Sequence, residues 1–267
     1  MENNQRLDIL VSQILGVSRE YAKQIILEGK CEVDGKIQKK PGAKYPENSL
    51  ITLDAIAPNF VSRGGLKLEK AIKNFNLNVE NLLCMDIGAS TGGFTDCLLQ
   101  NGAAHVLAVD NGKEQLSPLL TKNPQVVSME NTDIRSLSLE DLPFIPNFIA
   151  CDVSFISLTH IIPKIVEFLV ESSVAVLLIK PQFELGPSRV NKKGVAKNPK
   201  DHIVAIKQIC DAAAENSLQP VNLDFSPIKG QSGNIEYLIL LKKDAKCDNC
   251  FNLNVEKIVQ EAFDTLR

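Results

Sequence analysis

The sequence predicts an α/β protein: a doubly wound, mostly parallel sheet preceded by a small α+β module. Three observations carry that expectation. From Leu82 onward, apolar strand-like runs alternate with helical stretches, the pattern of a parallel sheet covered on both faces. The run Leu82 to Ile87 is cut by Gly88-Ala89-Ser90-Thr91-Gly92-Gly93 and followed by a helix-like stretch, Phe94 to Gln100, so strand, glycine-rich turn and helix start come in succession. The last two strand-like runs are separated only by Lys229 to Asn234. That is too short for a parallel crossover of a dozen or more residues, so the sheet is expected to end in an antiparallel hairpin.

The chain has 267 residues, 44% hydrophobic and 23% charged, enough for one large domain and a small one. No run approaches the ~18 apolar residues of a membrane span. The opening, MENNQRLD, lacks the apolar core of a signal peptide, and a cytoplasmic location is expected. Seven cysteines at 31, 84, 97, 151, 210, 247 and 250 exclude a disulfide framework; several lie in apolar runs, as buried free thiols do. Cys247-x-x-Cys250 has neither a second pair nor nearby histidines, so no metal is expected there. The net charge of −3 conceals an asymmetry: residues 1–73 carry 12 Lys/Arg against 9 Asp/Glu, and residues 180–207 carry 7 against 2. Two basic patches suit polyanion contact, although solvated surface lysines would give the same count.

At the front, Leu7, Leu10, Val11, Ile14 and Leu15 form a helical stripe within Arg6 to Leu15, ended by Gly16. Ser18 is a suitable N-cap for a second helix, Arg19 to Glu28, closed by Gly29. Short strands follow at Cys31-Glu32-Val33, at Lys36-Ile37 after an Asp34-Gly35 turn, and at Ser49 to Leu53. The Arg-Leu-Asp opening, the Ser-Arg helix start and the turn Gly29-Lys30-Cys31-Glu32-Val33-Asp34-Gly35 resemble an S4 RNA-binding domain. That resemblance implies an RNA-facing second helix and turn, with Arg6, Arg19, Lys23 and Lys30 as candidate phosphate contacts.

After a connector at Ala57-Pro58-Asn59, Gly64-Gly65 opens another helix, with Leu66, Ala71, Ile72 and Phe75 on its inner side. Lys67 falls in its first turn, where a cation opposes the helix dipole. Further strands are expected at 82–87, 105–109, 125–129, 148–151, 174–179, 220–225 and 235–242, and helices at 92–100, 113–121, 158–170 and 201–216.

The glycine-rich turn is neither G-x-G-x-x-G nor a P-loop. Asp86 stands before it, and Asp110 ends the next strand where a ribose-binding carboxylate belongs, which suits S-adenosylmethionine better than a nucleoside triphosphate. Strand ends in such a sheet point at the ligand crevice, and Asp152 and Lys180 also lie at strand ends, with Asp133 just beyond the third strand. A lysine directly after Val174 to Ile179 is unusual, because a lone buried ammonium is costly. Glu236, on the final strand, is an available counter-charge.

The FVSRGG-K segment, the DIGASTGGFTD turn, VSFISL and IKPQFE closely resemble the TlyA family from about Arg6 to Lys242. The resemblance implies a Rossmann-like class I methyltransferase fold behind an S4 domain, divided as residues 1–57, a linker at 58–62, and an FtsJ-like domain at 63–267. It also implies S-adenosylmethionine-dependent 2′-O-methylation of cytidine ribose in 16S and/or 23S ribosomal RNA, with ribosomal subunits as partners and neither metal nor membrane. It places a catalytic tetrad on Lys67, Asp152, Lys180 and Glu236, and the cofactor site on Asp86, Gly88, Ser90, Thr91, Gly92, Gly93, Phe94, Asp110, Asp133 and Asp152. Arg63 and the basic loop residues Arg189, Lys192 and Lys193 join the RNA-contact candidates. The residues before Arg6 are few, and in the family arm length varies with substrate range, so a narrower range is expected. A non-catalytic RNA-binding protein and a membrane-active cytolysin remain the competing functions; relatives have carried a haemolysin label, but no basic amphipathic helix is evident here.

Overall fold

The computed structural model describes residues 4–17, 19–54, 59–243 and 253–266. The front module begins with β1 (Asn4–Arg6), α1 (Leu7–Leu15) and α2 (Arg19–Leu27), followed by β2 (Cys31–Val33), β3 (Lys36–Ile37), β4 (Lys44–Pro46) and β5 (Ile51–Leu53). The first helix starts one residue later than its apolar stripe suggests, because Arg6 is extended and pairs with Lys44 of β4. Gly16 closes α1 with φ 65°, and Asp34-Gly35, both at positive φ, make the tight β2–β3 turn. Leu7, Val11, Ala22, Ile25, Ile26, Cys31 and Val33 form the small core. The Ser18 cap lies outside the described residues, as does the Cys247–Cys250 pair.

Beyond the connector come α3 (Gly64–Asn74), β6 (Leu83–Ile87), α4 (Gly93–Gln100), β7 (His105–Val109), α5 (Pro118–Thr121), β8 (Val126–Met129), β9 (Phe148–Cys151), α6 (Ile162–Phe168), β10 (Val174–Ile179), α7 (Pro181–Glu184), α8 (Pro199–Glu215), β11 (Leu218–Phe225), β12 (Tyr237–Lys243) and α9 (Val255–Thr265). The helix expected at 113–121 shrinks to α5, which begins at Pro118, a residue suited to a first helical turn but not to an interior.

Strands β6 to β12 form one sheet in the order β11-β12-β10-β9-β6-β7-β8, parallel except for β12, which runs antiparallel between β10 and β11. Alternate residues feed two cores. Met85, Leu107, Ile149, Leu177 and Ile239 face the side covered by α6, α8 and α9. Cys84, Val106, Phe148, Val176 and Leu238 face α3 and α4. The C-terminal helix α9, whose place the sequence alone left open, buries Val255, Val259 and Ala262 against that first side, with the Phe263 ring 4.9 Å from that of His202.

Strand order reverses at β6, with β7 and β8 on one side and β9 and β10 on the other. Such a switch point opens a crevice at the carboxyl ends of the strands. Val109, Ile87 and Cys151 are register partners across β7, β6 and β9, so Asp110, Gly88 and Asp152 emerge side by side at that crevice. In the β10–β12 pairing Ile179 faces Tyr237, which sets Lys180 and Glu236 at the same end.

Candidate active site

Two clefts meet at the switch point. The larger, about 1210 Å³, is lined by Gly88, Ser90, Asp110, Gly112, Asp133, Ile134, Arg135 and the loop 152–157. Asp110 fixes its own surroundings: its carboxylate accepts from Ser90 N (2.7 Å) and Gly112 N (2.6 Å), tying the glycine-rich turn to the end of β7. Gly88 (φ 84°) has no room for a side chain, since a Cβ would stand 2.7 Å from the Asp152 carbonyl oxygen. Asp133 caps the short turn at Ile134–Ser136 and is held by the Arg135 guanidinium (2.6 Å), which keeps its carboxyl below the usual range. This cleft therefore presents three carboxylates, Asp110, Asp133 and Asp152, and its one guanidinium is already paired. Such a set of acceptors receives a cationic, hydroxyl-bearing ligand and disfavours a polyphosphate.

The rest of the expected cofactor set sits elsewhere. Asp86 shares its face of β6 with Cys84, so it points under the turn toward α4 and lines neither cleft; Thr95 N (2.8 Å) and Thr95 Oγ1 (2.7 Å) both donate to its Oδ2. Its Oδ1 is buried without a partner among the described residues, and full burial raises its pKa to about 7. Gly92 abuts Leu116 and Leu120, where a Cβ would collide. Gly93 lets α4 touch α3, because a Cβ there would run into Ser62 Oγ and stand 2.8 Å from Gly65 N. Phe94 is a core residue. Thr91, Gly93 and Phe94 border the smaller cleft, not the larger.

That smaller cleft, about 250 Å³, holds the four charged residues expected together. Lys67 Nζ lies 2.7 Å from Glu236 Oε2 and 3.6 Å from Asp152 Oδ2. Lys180 Nζ lies 2.6 Å from Asp152 Oδ1 and donates to Ser154 Oγ (2.8 Å). Burial alone would depress the Lys67 pKa, but Asp152 and Glu236 outweigh it and the net shift is upward. Burial likewise pushes Asp152 up, and the two lysines pull it below its ordinary value. The unfavourable first-turn position of Lys67 is thus offset by two carboxylates, one just after β9 and one just before β12, and the set is an alternating chain, Glu236–Lys67–Asp152–Lys180.

Residues 60–243 match the FtsJ-like methyltransferase family, and residues 5–51 match the S4 domain. The chain belongs to the FtsJ-like methyltransferases. It is 41% identical, over 98% of its length and 95% of the relative's, to a Bacillus subtilis protein provisionally named rRNA methyltransferase YqxC. It is 36% identical to the 16S/23S rRNA (cytidine-2′-O)-methyltransferase TlyA of Mycobacterium tuberculosis, with 91% of each chain covered. A solved Streptococcus thermophilus structure, provisionally named a hemolysin, superposes with TM-score 0.82 at 38% identity, covering 99% of this chain and 98% of its own. Among the described residues no helix is long and apolar enough to cross a membrane.

In the S4 module two of the expected RNA contacts have a structural task. Asp8, fully buried, accepts from Arg6 Nε (3.0 Å), Arg6 Nη2 (2.9 Å) and Arg19 Nη2 (3.1 Å), so both guanidiniums neutralise it while keeping exposed edges. Lys30 pairs with Glu28 (2.8 Å), and Lys23 is half-buried on α2. Arg63 donates to Gln24 Oε1 on α2 (3.0 Å) and also lines the smaller cleft, linking the S4 module to the FtsJ-like domain. In the basic loop Arg189 pairs with Asp201 (3.1 Å), whereas Lys192 and Lys193 are exposed.

Sequence reasoning missed Phe155. It is 85% exposed, has φ 63°, and lines the larger cleft, with its ring centroid 5.0 Å from that of Phe183, which lines both. The loop carrying it is pinned by Glu184, which accepts from Ser157 Oγ (2.5 Å) and Leu158 N (3.1 Å). VSFISL signals a loop at a strand end, but nothing in it reveals a positive φ.

Proposed function

We propose that this protein transfers a methyl group from S-adenosylmethionine to a ribose 2′-hydroxyl of ribosomal RNA, with cytidine in the 16S and/or 23S molecule as the acceptor. The observation that carries this reading is the pairing of an acidic cleft with a lysine–carboxylate chain across the carboxylate that both clefts share, Asp152. S-adenosylmethionine, when bound, supplies an electrophilic sulfonium methyl. Asp110 and the backbone around Gly88 are the groups that would hold it, and the acidic lining suits its cationic centre. Asp133, its carboxylate neutralised by Arg135, caps the turn that borders the cleft.

The acceptor side is built for a weak nucleophile. A 2′-hydroxyl must be oriented and must lose its proton as its oxygen attacks. Lys180, fixed between Asp152 and Ser154, orients the hydroxyl; once it has passed one of its own protons to Asp152, 2.6 Å away, its amine takes the hydroxyl proton. Lys67 remains an ammonium between Glu236 and Asp152 and holds the two carboxylates in place. The exposed Phe155 ring, backed by Phe183, offers a face on which a base can stack. The S4 module, through Arg6, Arg19, Lys23 and Lys30, and the loop residues Lys192 and Lys193, hold more distant phosphates.

The test is transfer of labelled methyl from S-adenosylmethionine to separated, unmodified 30S and 50S subunits, using wild type, Lys180→Ala and Lys180→Arg. Label on rRNA ribose is expected with wild type, and a loss of roughly 10²- to 10⁴-fold with both variants, since a guanidinium keeps the charge but cannot accept a proton. A Lys180→Arg protein at wild-type rate would refute the proton-accepting role. Absence of label on both subunits, with S-adenosylmethionine bound, would refute the substrate.

A further inference from the structure

We infer that Lys229 and Arg63 form a phosphate subsite that grips the phosphodiester on the 3′ side of the reacting ribose. This rests on the reading of the smaller cleft as the RNA 2′-hydroxyl site.

The argument starts from charge. Four cations line that cleft, Arg63, Lys67, Lys180 and Lys229, against two carboxylates, Asp152 and Glu236. The two inner lysines and the two carboxylates compensate each other in the ion-paired chain. The cleft's net charge of +2 is therefore carried by Arg63 and Lys229, and neither lines the larger, acidic cleft. They line only the cleft that holds the tetrad.

The two cations are also available. Lys229 is half-buried in the β11–β12 connection and has no hydrogen-bond or ion-pair partner among the described residues. The next residue, Gly230, presses so closely on Glu236 that a Cβ would collide with its carboxylate, so Lys229 is anchored beside the tetrad. Arg63 uses one N–H on Gln24 and keeps the rest of its fork.

Ribose chemistry supplies the ligand. A 2′-oxygen and the 3′-phosphate sit on adjacent ring carbons, so a 2′-hydroxyl cannot enter the tetrad without bringing a phosphate within a few ångströms. That phosphate needs a cation that the carboxylates have not claimed. A flexible lysine and an oriented guanidinium fit that need, the guanidinium through its bidentate geometry. Neither reads the base, so the subsite positions the strand and carries no sequence preference.

The experiment uses the full-length protein, Lys229→Ala and Lys229→Arg, and the subunit that wild type methylates. Lys229→Ala is expected to raise KM for that subunit roughly five- to ten-fold, with kcat and S-adenosylmethionine affinity near wild type, and Lys229→Arg is expected to restore KM. The slope of log(kcat/KM) against log salt should become shallower by about 0.7 to 0.9, the loss of one phosphate contact. An unchanged KM and an unchanged slope would overturn the subsite. If wild type methylates neither subunit, the underlying reading fails on its own, and binding of protein-free rRNA gives the same slope comparison. In that assay, equal slopes for wild type and Lys229→Ala would overturn the subsite as well.

Discussion

The ion pair between Lys67 and Glu236 can be weighed by removing it one side at a time. Both residues are buried, 8% and 2% exposed, and stand 2.7 Å apart. Glu236→Leu leaves Lys67 with Asp152 alone, at 3.6 Å, and Asp152 is already committed to Lys180 at 2.6 Å. Breaking one side of a buried pair destabilises by about 3 to 5 kcal/mol, because the surviving charge stays desolvated. Replacing both partners by apolar side chains of similar volume is often neutral or stabilising. Urea unfolding should therefore place Glu236→Leu about 3 kcal/mol or more below wild type and Lys67→Met/Glu236→Leu within about 1 kcal/mol of it. The double variant should nonetheless be inactive. At neutral pH the comparison is insensitive to small pH errors. Lys67, with its pKa raised, loses its contribution only as pH rises through its folded value, above 10.5. Asp152, with its pKa lowered, loses its own only as pH falls below the unfolded carboxylate value of about 4. A double variant less stable than either single one would refute the reasoning, since it would make the pair a stabilising element instead of one retained for chemistry.

Two other perturbations bear on the glycine-rich turn. Asp86 titrates near pH 7 when folded and near 4 when unfolded, so its neutral form favours the folded state. That contribution, up to about 4 kcal/mol, is complete below pH 4 and declines as pH rises to 7. Thermal unfolding of Asp86→Asn between pH 4 and 8 should lack that decline, and parallel curves for the two proteins would count against it. Gly93→Ala inserts a Cβ where α4 meets Ser62 and Gly65, overpacking worth about 1 to 3 kcal/mol and displacing the helix that carries Lys67. Methylation should fall while S-adenosylmethionine affinity, read by calorimetry, holds; a parallel loss of cofactor affinity would place Gly93 in the cofactor site after all.

Much of the sheet was legible in the sequence because its strands are continuous apolar runs bounded by glycine, asparagine and proline; from β6 to β12 the boundaries agree within about two residues. The same property hid the orientation of Asp86. A strand buried on both faces shows no alternation, so its position is readable and its facing is not. The β1–β4 pair escaped notice because three-residue edge strands such as Lys44–Pro46 leave almost no periodicity. The tetrad came through family resemblance; its residues are spread from 67 to 236, and only register brings Lys180 level with Glu236. The Arg6–Asp8–Arg19 cluster was missed because charge patterning sees three polar residues near a helix start, whereas the fold buries the middle one. Lys229 was passed over for a simpler reason: a lysine in the eleven-residue connection between β11 and β12 looks like any solvated loop lysine.

The insertion of β12 between β10 and β11 also sets an order of events. Protein synthesis runs from the N-terminus, and domains generally fold as units when their residues emerge. A chain made through Lys180, the residue after β10, already includes the S4 module, the glycine-rich turn and three tetrad residues, Lys67, Asp152 and Lys180. It lacks Glu236, so its inner charges are two cations against one carboxylate. Residue 236 arrives with the strand that fills the gap beside β10, and the site becomes electrically balanced in the same step that completes the sheet. Under the proposed mechanism, catalytic competence reports that strands β11 and β12 have been made and have found their places.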